Sequence, residues 1–232
     1  PGEIFYNNTI MGIELMEAAR KAGVKKFVTI GTVCEYPEIV NLPFREESLW
    51  NGYPEETTAP YGWAKKILIV QSKAYKKQYG FDSIHLLPVN LYGPGDNFDK
   101  ESSHVIPSLI KRFIQARDQK KGTVDIWGSG NATREFLYVE DAARGIVLAA
   151  EKYESTDPLN LGTGVETSIK DVGNLISKIV GYRGEIRWDK NKPDGQPRRR
   201  LDVSKAKKIG FKAEVGLQEG LKKTIEWYEK NK

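Results

Sequence analysis

The sequence predicts an α/β fold with a largely parallel sheet. Helical and extended patterns alternate along all 232 residues, and the extended segments are apolar runs of strand length. The sequence contains no internal repeat, low-complexity tract or flexible linker that would divide it into serial domains. We therefore expect any two lobes to be interwoven along the chain.

The first half predicts two helices, each followed by a strand. Gly23 and Gly80 are placed to end the helices, since glycine readily adopts the left-handed conformation of a helix C-terminus. Thr58 and Pro60 form a helix-start signature. The predicted elements are a helix through residues 10–19, a strand at 26–31, a helix over about 61–79 and a strand at 83–88.

The second half continues the alternation. Residues 90–97 are interpreted as a turn because they combine Asn, Gly, Pro and Asp. Ser168 and Asp171 predict a capping box at the start of a helix that ends near Gly181. The other predicted elements are a helix from about His104, strands at 124–127 and 159–162, a helix through 142–149 into which residues 134–139 lead, an edge strand at 185–188 and a helix at about 217–228.

Composition excludes several classes of protein. Hydrophobic residues make up 39% of the chain and charged residues 29%, as in soluble globular proteins. No apolar run approaches the roughly 20 residues of a membrane helix, and no signal-peptide pattern opens the chain. One cysteine cannot form an internal disulfide, so a reducing, cytoplasmic location is expected. We predict no metal site and no membrane partner.

Basic residues are concentrated in the stretch 190–208, although the formal net charge is only +5. Two interpretations remain open: a solvated face, or one wall of a pocket for a small polyanion such as a sugar-nucleotide diphosphate. Nucleic acid is disfavoured as a partner, because aromatic side chains are not interleaved with these charges as stacking platforms would require.

Tyr61 and Lys65 stand one helical turn apart and so share a helix face. A phenol has an ordinary pKa of about 10, and an ammonium beside it favours the phenolate. The pair can therefore exchange a proton with a substrate oxygen, with Thr32 or a neighbour at the end of the preceding strand as the third group. Tyr228 and Lys232 have the same spacing, but we interpret them as solvated residues of a C-terminal helix.

Longer segments extend this pattern to a known family. They are residues 31–37, 88–98, 103–107, 127–130, 134–137, 161–164 and 192–195. With these segments the chain resembles the extended short-chain dehydrogenase/reductases of the NAD-dependent epimerase/dehydratase family, in particular those that act on GDP-linked 4-keto-6-deoxy sugars. The resemblance spans nearly the whole sequence. Residues 127–130 are widely shared in such enzymes, whereas Cys34 combined with residues 103–107 is a much narrower signal.

The resemblance implies a Rossmann-type cofactor domain at residues 1–92 and 134–165 and an interwoven α+β substrate-binding lobe at 93–133 and 166–232. It implies NADP(H) as the cofactor and a GDP-linked 4-keto-6-deoxy sugar as the substrate, which is epimerised at C3 and C5 and reduced at C4. It also implies a homodimer that pairs the helical segment after Gly12 and the helix carrying Tyr61.

The same resemblance assigns roles to single residues. Cys34 and His104 match the epimerising acid/base pair, since a thiolate beside an imidazolium is a competent base. Tyr61 would protonate the C4 oxygen, Lys65 would position the nicotinamide ribose and lower the Tyr61 pKa, and Thr32 would hydrogen-bond the keto oxygen. The implied cofactor contacts are Tyr61, Lys65, Pro88, Asn90, Leu91 and His104. The implied substrate contacts are Asn90, Arg112, Trp127 and Arg134.

Several of these residue types also have a purely structural interpretation. A single cysteine such as Cys34 is often a small buried apolar residue, and Trp127 could be ordinary core packing. His104 stands at a predicted helix start, where structural roles are common. The other histidine, His85, lies in an apolar strand and is interpreted as a core residue with satisfied hydrogen bonds.

The sequence departs from the family at two places. No glycine-rich turn of the kind that holds a cofactor pyrophosphate occurs before Tyr61. Because the chain also starts at Pro1, we expect a fragment or processed product that lacks about 60 residues in two βαβ units of about 30. Such a chain is expected to bind NADP weakly and to have no turnover alone. Thr32 stands where serine is usual, which keeps the hydroxyl.

Two alternatives remain open. One is another nucleotide-sugar enzyme of the same family, such as a C5 epimerase/reductase of a dideoxy sugar in colitose synthesis. The other is a non-catalytic module that binds a GDP-sugar or a protein. Cys34 and His104 together favour the double epimerisation, since simple 4-epimerases need neither. The set of Thr32, Tyr61 and Lys65 opposes the non-catalytic module.

Overall fold

The computed structural model describes residues 1–99, 103–192 and 194–232. The helices are α1 (Gly2–Lys21), α2 (Ala59–Tyr79), α3 (Val105–Asp118), α4 (Val139–Lys152), α5 (Ile169–Val180), α6 (Ser204–Lys208) and α7 (Leu217–Asn231). The strands are β1 (Phe27–Ile30), β2 (Ser83–Pro88), β3 (Asn90–Tyr92), β4 (Thr123–Trp127), β5 (Thr133–Tyr138), β6 (Leu159–Leu161), β7 (Glu166–Ser168) and β8 (Glu185–Asp189). Two short 3-10 turns, Val33–Glu35 and Glu46–Trp50, follow β1.

The described residues form two compact units, each built from three separate chain segments. The first unit contains Pro1–Val89, Ala142–Gly164 and Arg200–Lys212. The second unit contains Asn90–Asp141, Val165–Arg199 and Ala213–Lys232. The lobe boundaries expected from the resemblance stay a prediction, because compactness does not assign a cofactor or substrate role to either unit.

The first unit is built on a parallel three-stranded sheet. β2 lies between β1 and β6, and all six of its residues are buried, as is usual for a central strand of a parallel sheet. α1 and α2 pack on each other around Met16, Leu68 and Phe81. Because β1 and β2 are parallel, their carboxyl ends lie at the same edge of the sheet, where Gly31 and Val89 follow.

The second unit has two small sheets. In the first, β5 pairs in parallel with β3 and antiparallel with β7; in the other, β4 and β8 form a parallel pair. Apolar side chains from α3, α5 and α7 pack against these strands and form one core. Its largest members include Ile110, Phe113, Tyr138, Ile176 and Leu221.

The predicted α/β fold class is confirmed, and most elements lie within a few residues of their predicted ends. Residues 90–92 are an exception: the interpretation as a turn is wrong there, since they form β3 in register with residues 136–138 of β5. β7 and α6 were not predicted, because three and five residues carry too little periodicity to detect. Among the described helices, none is long and apolar enough to cross a membrane.

Candidate active site

The turn after β1 carries two of the predicted catalytic residues. Thr32 caps the 3-10 turn Val33–Glu35: its Oγ1 accepts a hydrogen bond from the Cys34 N–H at 3.2 Å. In return, the Thr32 N–H donates to Glu35 Oε1 at 2.8 Å. This reciprocal capping box fixes the turn and leaves the hydroxyl proton of Thr32 available to a ligand. Cys34 is partly exposed.

The start of α2 packs directly against this turn. A Cβ on Gly62 would lie 2.4 Å from the Cys34 carbonyl oxygen, so only glycine allows the helix to approach this closely. The approach brings the neighbouring Tyr61, which is half-buried, to the turn Val33–Glu35. Lys65 lies one helical turn further on, with its Nζ 5.7 Å from the centre of the Tyr61 ring. Thr32, Cys34, Tyr61 and Lys65 are thus brought together within the first unit.

The electrostatics of Tyr61 differ from the prediction. Burial raises the pKa of Tyr61, and the negative charges of Cys34 and Glu35 raise it further. The net direction is therefore opposite to the lowering expected from Lys65, because the cost of burying a phenolate sets it. The phenol stays protonated at neutral pH, which suits a residue that must donate a proton to a developing alkoxide.

His85 is the buried core residue that the sequence predicted, and its partner is Glu35. Its Nδ1 lies 2.7 Å from Thr29 Oγ1, and its Nε2 lies 3.1 Å from both Glu35 oxygens. The sequence interpretation did not single out Glu35. A histidine inside an apolar strand needs a polar partner, and a glutamate beside a predicted catalytic turn was the available signal.

The second unit contains a cavity of about 320 Å³ that collects most of the remaining predicted residues. His104 stands at the start of α3, and the Asn90 side chain is fixed by donating from Nδ2 to the Glu135 carbonyl at 3.0 Å. Arg134 is held by donating to the Gln196 carbonyl at 2.7 Å. The predicted residues that line this cavity are Asn90, Leu91, His104, Trp127 and Arg134.

Asp194, which was not predicted, also lines this cavity and organises its rim. Its two carboxylate oxygens accept hydrogen bonds from Ser129 Oγ and from the Ser129 N–H, both at 2.6 Å. These bonds lower the pKa of Asp194, the side-chain bond most of all. Trp127 projects from this rim with 67% of its surface exposed, so the alternative of core packing is wrong for it. Pro193 of the segment 192–195 lies outside the described residues.

We expect Ser129→Ala to raise the pKa of Asp194 part of the way toward its ordinary value of about 3.9, because the backbone hydrogen bond remains. A carboxyl whose pKa is lowered by folding stabilises the fold above its ordinary pKa, and this contribution is lost as the pH falls through the lowered value. The Asp194 carboxyl chemical shift, followed by NMR through acid pH, measures the change. An unaltered titration in the variant would contradict the assignment.

Arg112 and Pro88 are not brought to this cavity. Arg112 is exposed on α3 at a second cavity of about 270 Å³, where its Nη1 donates to the Asp125 carbonyl at 3.3 Å. Pro88 closes β2 opposite Leu161 in the first unit.

The basic stretch 190–208 divides between its two interpretations. Arg198 pairs with Glu166, and Lys205 pairs with Glu47 at 2.7 Å, so these two charges are used within their own units. Lys192 instead lies with its Nζ 5.5 Å from the Trp127 ring centre, beside the 320 Å³ cavity. The interpretation as a pocket wall is therefore supported at Lys192.

Sequence comparison gives the same family that the motifs predicted. The profile of the NAD dependent epimerase/dehydratase family matches residues 1–162. The chain is 40% identical to probable GDP-L-fucose synthase 1 of Oryza sativa subsp. japonica, covering 100% of this chain and 71% of that protein. It is 39% identical to GDP-L-fucose synthase of Escherichia coli K12, covering 100% and 75%, and 34% identical to GDP-L-colitose synthase of Yersinia pseudotuberculosis, covering 100% and 76%.

Solved structures of related nucleotide-sugar enzymes have the same fold as this chain. A GDP-L-fucose synthetase from Naegleria fowleri bound to NADP superposes with a TM-score of 0.94 at 27% identity, covering 99% of this chain and 74% of that one. A GDP-6-OMe-4-keto-L-xylo-heptose reductase from Campylobacter jejuni superposes with a TM-score of 0.93 at 29% identity, covering 99% and 77%. The chain belongs to the NAD dependent epimerase/dehydratase family.

Proposed function

We propose that this chain carries the catalytic residues of an NADP(H)-dependent epimerase/reductase that converts GDP-4-keto-6-deoxy-D-mannose to GDP-L-fucose. The observation that carries the proposal is the packing of the Thr32–Cys34 turn on α2 beside Tyr61 and Lys65. This packing joins an acid/base residue of reduction to one of epimerisation in a chain 40% identical to a GDP-L-fucose synthase.

The residues of the first unit fit a nicotinamide ribose. Tyr61 and Lys65 present a hydroxyl and an ammonium on one face of α2, and both groups can hydrogen-bond the ribose hydroxyls. The further contacts we propose are Pro88, Asn90, Leu91 and His104. When bound, the reduced cofactor supplies the hydride for C4. Tyr61 donates its phenol proton to the C4 oxygen, and the Thr32 hydroxyl, already oriented by the Cys34 N–H, donates a hydrogen bond to that oxygen.

Epimerisation needs a base and an acid that act on carbons next to the ketone. The keto group at C4 acidifies the protons at C3 and C5, so Cys34 Sγ can accept one of them as a thiolate. His104 returns a proton to the carbon from the opposite face. We assign these roles because both residues are accessible: Cys34 is partly exposed, and His104 is exposed at the start of α3.

The substrate contacts follow from the 320 Å³ cavity, whose size is at the lower end of the range for small-ligand sites. Arg134 is held by the Gln196 carbonyl and can present its planar guanidinium to a diphosphate. Trp127 offers an exposed ring, and Asn90 adds a polar contact. We also propose Arg112 as a substrate contact.

Calorimetric titration with sugar nucleotides tests this function first. We expect GDP-mannose and GDP-L-fucose to bind, and UDP- and dTDP-sugars to give no heat of binding. Preference for a UDP- or dTDP-sugar would contradict the proposed substrate. NADPH turnover is then assayed in two forms, the 232-residue chain and the same chain joined to an added glycine-rich nucleotide-binding segment. This pair of assays also tests the expected dependence on a preceding glycine-rich unit, and inactivity of both forms would favour a binding module.

A second candidate is a GDP-colitose-type enzyme, favoured by the 34% identity to the Yersinia protein. The two functions differ in the carbon that exchanges its proton. In deuterated water, we expect the proposed enzyme to place deuterium at both C3 and C5 of the 4-keto sugar before reduction. Mass and NMR analysis of the recovered sugar measures this labelling. Exchange at C5 only, with a 3-deoxy substrate preferred, would establish the second candidate.

A second copy of this chain is the partner we propose for the α1–α2 surface. α1 exposes six large apolar side chains, among them Phe5 at 44% and Leu15 at 54%, and α2 adds Val70 at 53%. A cavity of about 550 Å³, lined by Phe5, Trp63 and Ile67 among others, lies on the same surface. An apolar surface of this extent is typical of a protein–protein interface.

We expect Leu15→Glu with Val70→Glu to convert the protein from dimer to monomer, since each change places a charge in the proposed apolar interface. Analytical ultracentrifugation at several protein concentrations measures the mass. Val165→Glu, an exposed valine of the second unit, is the matched control and should leave the dimer unchanged. A monomeric wild-type protein would contradict the assignment.

A further inference from the structure

Glu35 and His85 form a fully buried polar pair in the first unit. Both side chains have 0% relative exposure, and His85 Nε2 lies 3.1 Å from each Glu35 carboxylate oxygen. The chain is fitted closely around them: a Cβ on Gly31 would lie 2.2 Å from both Glu35 Oε1 and His85 Nε2. Only glycine can therefore follow β1 here, and the pair determines the path of the backbone into Thr32.

The hydrogen bonds around His85 place a proton between its ring and Glu35. Thr29 Oγ1 lies 3.0 Å from the Ile84 carbonyl and 2.7 Å from His85 Nδ1, and its hydroxyl has one proton to donate. If the Thr29 hydroxyl donates to the Ile84 carbonyl, His85 Nδ1 must carry a proton and donate it to Thr29. If the hydroxyl instead donates to Nδ1, the ring is neutral and carries its proton on Nε2. In both cases a proton must lie between Nε2 and the carboxylate, because two facing lone pairs would repel.

Glu35 holds the catalytic turn from two sides. Its Oε1 accepts the Thr32 N–H at 2.8 Å, so the side chain that bonds His85 also fixes the residue that caps Cys34. Its backbone carbonyl accepts a hydrogen bond from the buried Lys66 Nζ at 3.3 Å. A shift of Glu35 would therefore move both the Thr32 hydroxyl and the Cys34 backbone.

Stability alone does not explain the pair. Removing two polar groups from water is costly, and apolar residues of the same volume often give equal or greater stability. The pair provides something that apolar residues cannot, namely a fixed acceptor for the Thr32 N–H. We propose that Glu35 and His85 are positioning residues that hold the Thr32 hydroxyl and the Cys34 thiol in the geometry of reaction. The inference rests on the proposed function, but its tests require no turnover.

The first test is an NMR signature of the pair. The chain has two histidines, so His104→Gln leaves only the His85 ring signals. We expect at least one imidazole N–H proton far downfield and protected from solvent exchange, because a buried, hydrogen-bonded group exchanges only on opening. The signal should disappear in His85→Gln and move in Glu35→Leu. A rapidly exchanging His85 ring, or a signal unchanged in Glu35→Leu, would overturn the proposal.

The second test is the reactivity of Cys34, which is the only thiol in the chain. In Glu35→Leu the Thr32 N–H loses its acceptor, which should make the turn open more often and raise the iodoacetamide alkylation rate about tenfold. In Glu35→Gln the amide oxygen still accepts that N–H, so we expect a rate within about threefold of wild type. Both variants lack the carboxylate charge. A difference between their alkylation rates therefore reports the position of the turn and not the loss of charge.

Glu46→Leu is the matched control. Glu46 is also a buried glutamate on a 3-10 turn, but its Oε1 accepts the Asn160 N–H at 3.0 Å and it makes no bond to Thr32. The alkylation rate of Cys34 in Glu46→Leu should equal that of wild type. If Glu35→Leu does not fold, His85→Gln replaces it, with an expected increase of about fivefold. A wild-type alkylation rate in Glu35→Leu, or in His85→Gln where it replaces Glu35→Leu, would overturn the proposal. Equal increases in Glu35→Leu and Glu46→Leu would also overturn it. The sugar-nucleotide titration reports on the proposed function separately.

Discussion

Replacing Gly62 by alanine is expected to lower the free energy of unfolding by about 3 kcal/mol and to displace the Cys34 turn. The added Cβ would lie 2.4 Å from the Cys34 carbonyl oxygen and 3.1 Å from the carbonyl carbon. Both are backbone atoms, so no side-chain rotation can relieve the contact. Denaturant unfolding measures the loss, and the alkylation rate of Cys34 reports the displacement.

The sign of this effect distinguishes it from ordinary helix propensity. Alanine in place of an interior helical glycine normally stabilises a helix by about 1 kcal/mol. Gly173 of α5 is the matched control: it is buried in a helix, but a Cβ there would make only ordinary contacts, with Trp188 at 3.6 Å as the nearest group. Gly173→Ala should therefore stabilise the protein while Gly62→Ala destabilises it. Stabilisation in both variants would contradict the close packing of α2 on the turn.

Local patterns were sufficient to predict the elements that position Thr32, Cys34, Tyr61 and Lys65. Apolar runs predicted β1 and β2, and the helix-start signature predicted α2 to within two residues of Ala59. The spacing of Tyr61 and Lys65 fixes a shared helix face in any α-helix. These features depend on neighbours in sequence, so a single sequence contains them.

The contacts that hold the turn after β1 and the rim of the cavity in the second unit join residues far apart in sequence. Glu35 and His85 meet because β1 and β2 pair in parallel, with Thr29 in register with His85. Asp194 reaches Ser129 across 65 positions of the sequence. Such pairings depend on strand register and loop path, which no local periodicity encodes, so the sequence predicts neither the pairing of Glu35 with His85 nor that of Asp194 with Ser129.

The direction of the Tyr61 pKa could not be predicted for a related reason. Sequence spacing shows that an ammonium is near the phenol, but it does not give the burial of the ring or the acidic groups on the facing turn. Burial is the largest cause of the raised pKa of Tyr61, followed by the charges of Cys34 and Glu35. The result strengthens the assignment of Tyr61 as a proton donor, because the protonated form is the one that reduction consumes.

Tyr61→Phe is expected to slow reduction of the 4-keto sugar by about 10³-fold, the size of effect typical for loss of a general acid. Phenylalanine keeps the ring that packs at the start of α2 and removes only the proton to be donated. Deuterium exchange next to the ketone should continue within about threefold of wild type, because we assign it to Cys34 and His104. NADPH oxidation and deuterium incorporation are measured on the same sample of the extended chain.

The separation of the two rates is what identifies the role of Tyr61. Tyr228→Phe is the matched control, since Tyr228 also precedes a lysine by four positions but belongs to the second unit. The interpretation of that pair as solvated is wrong for Tyr228, which stacks on Phe98 at 4.2 Å, while Lys232 pairs with Asp118 at 3.0 Å. Neither rate should change in this control. If Tyr61→Phe slowed both rates equally, the residue would shape the site without donating the proton; if it slowed neither, another group would be the acid. Only loss of reduction with retained exchange agrees with a protonated Tyr61 beside an independently positioned Cys34.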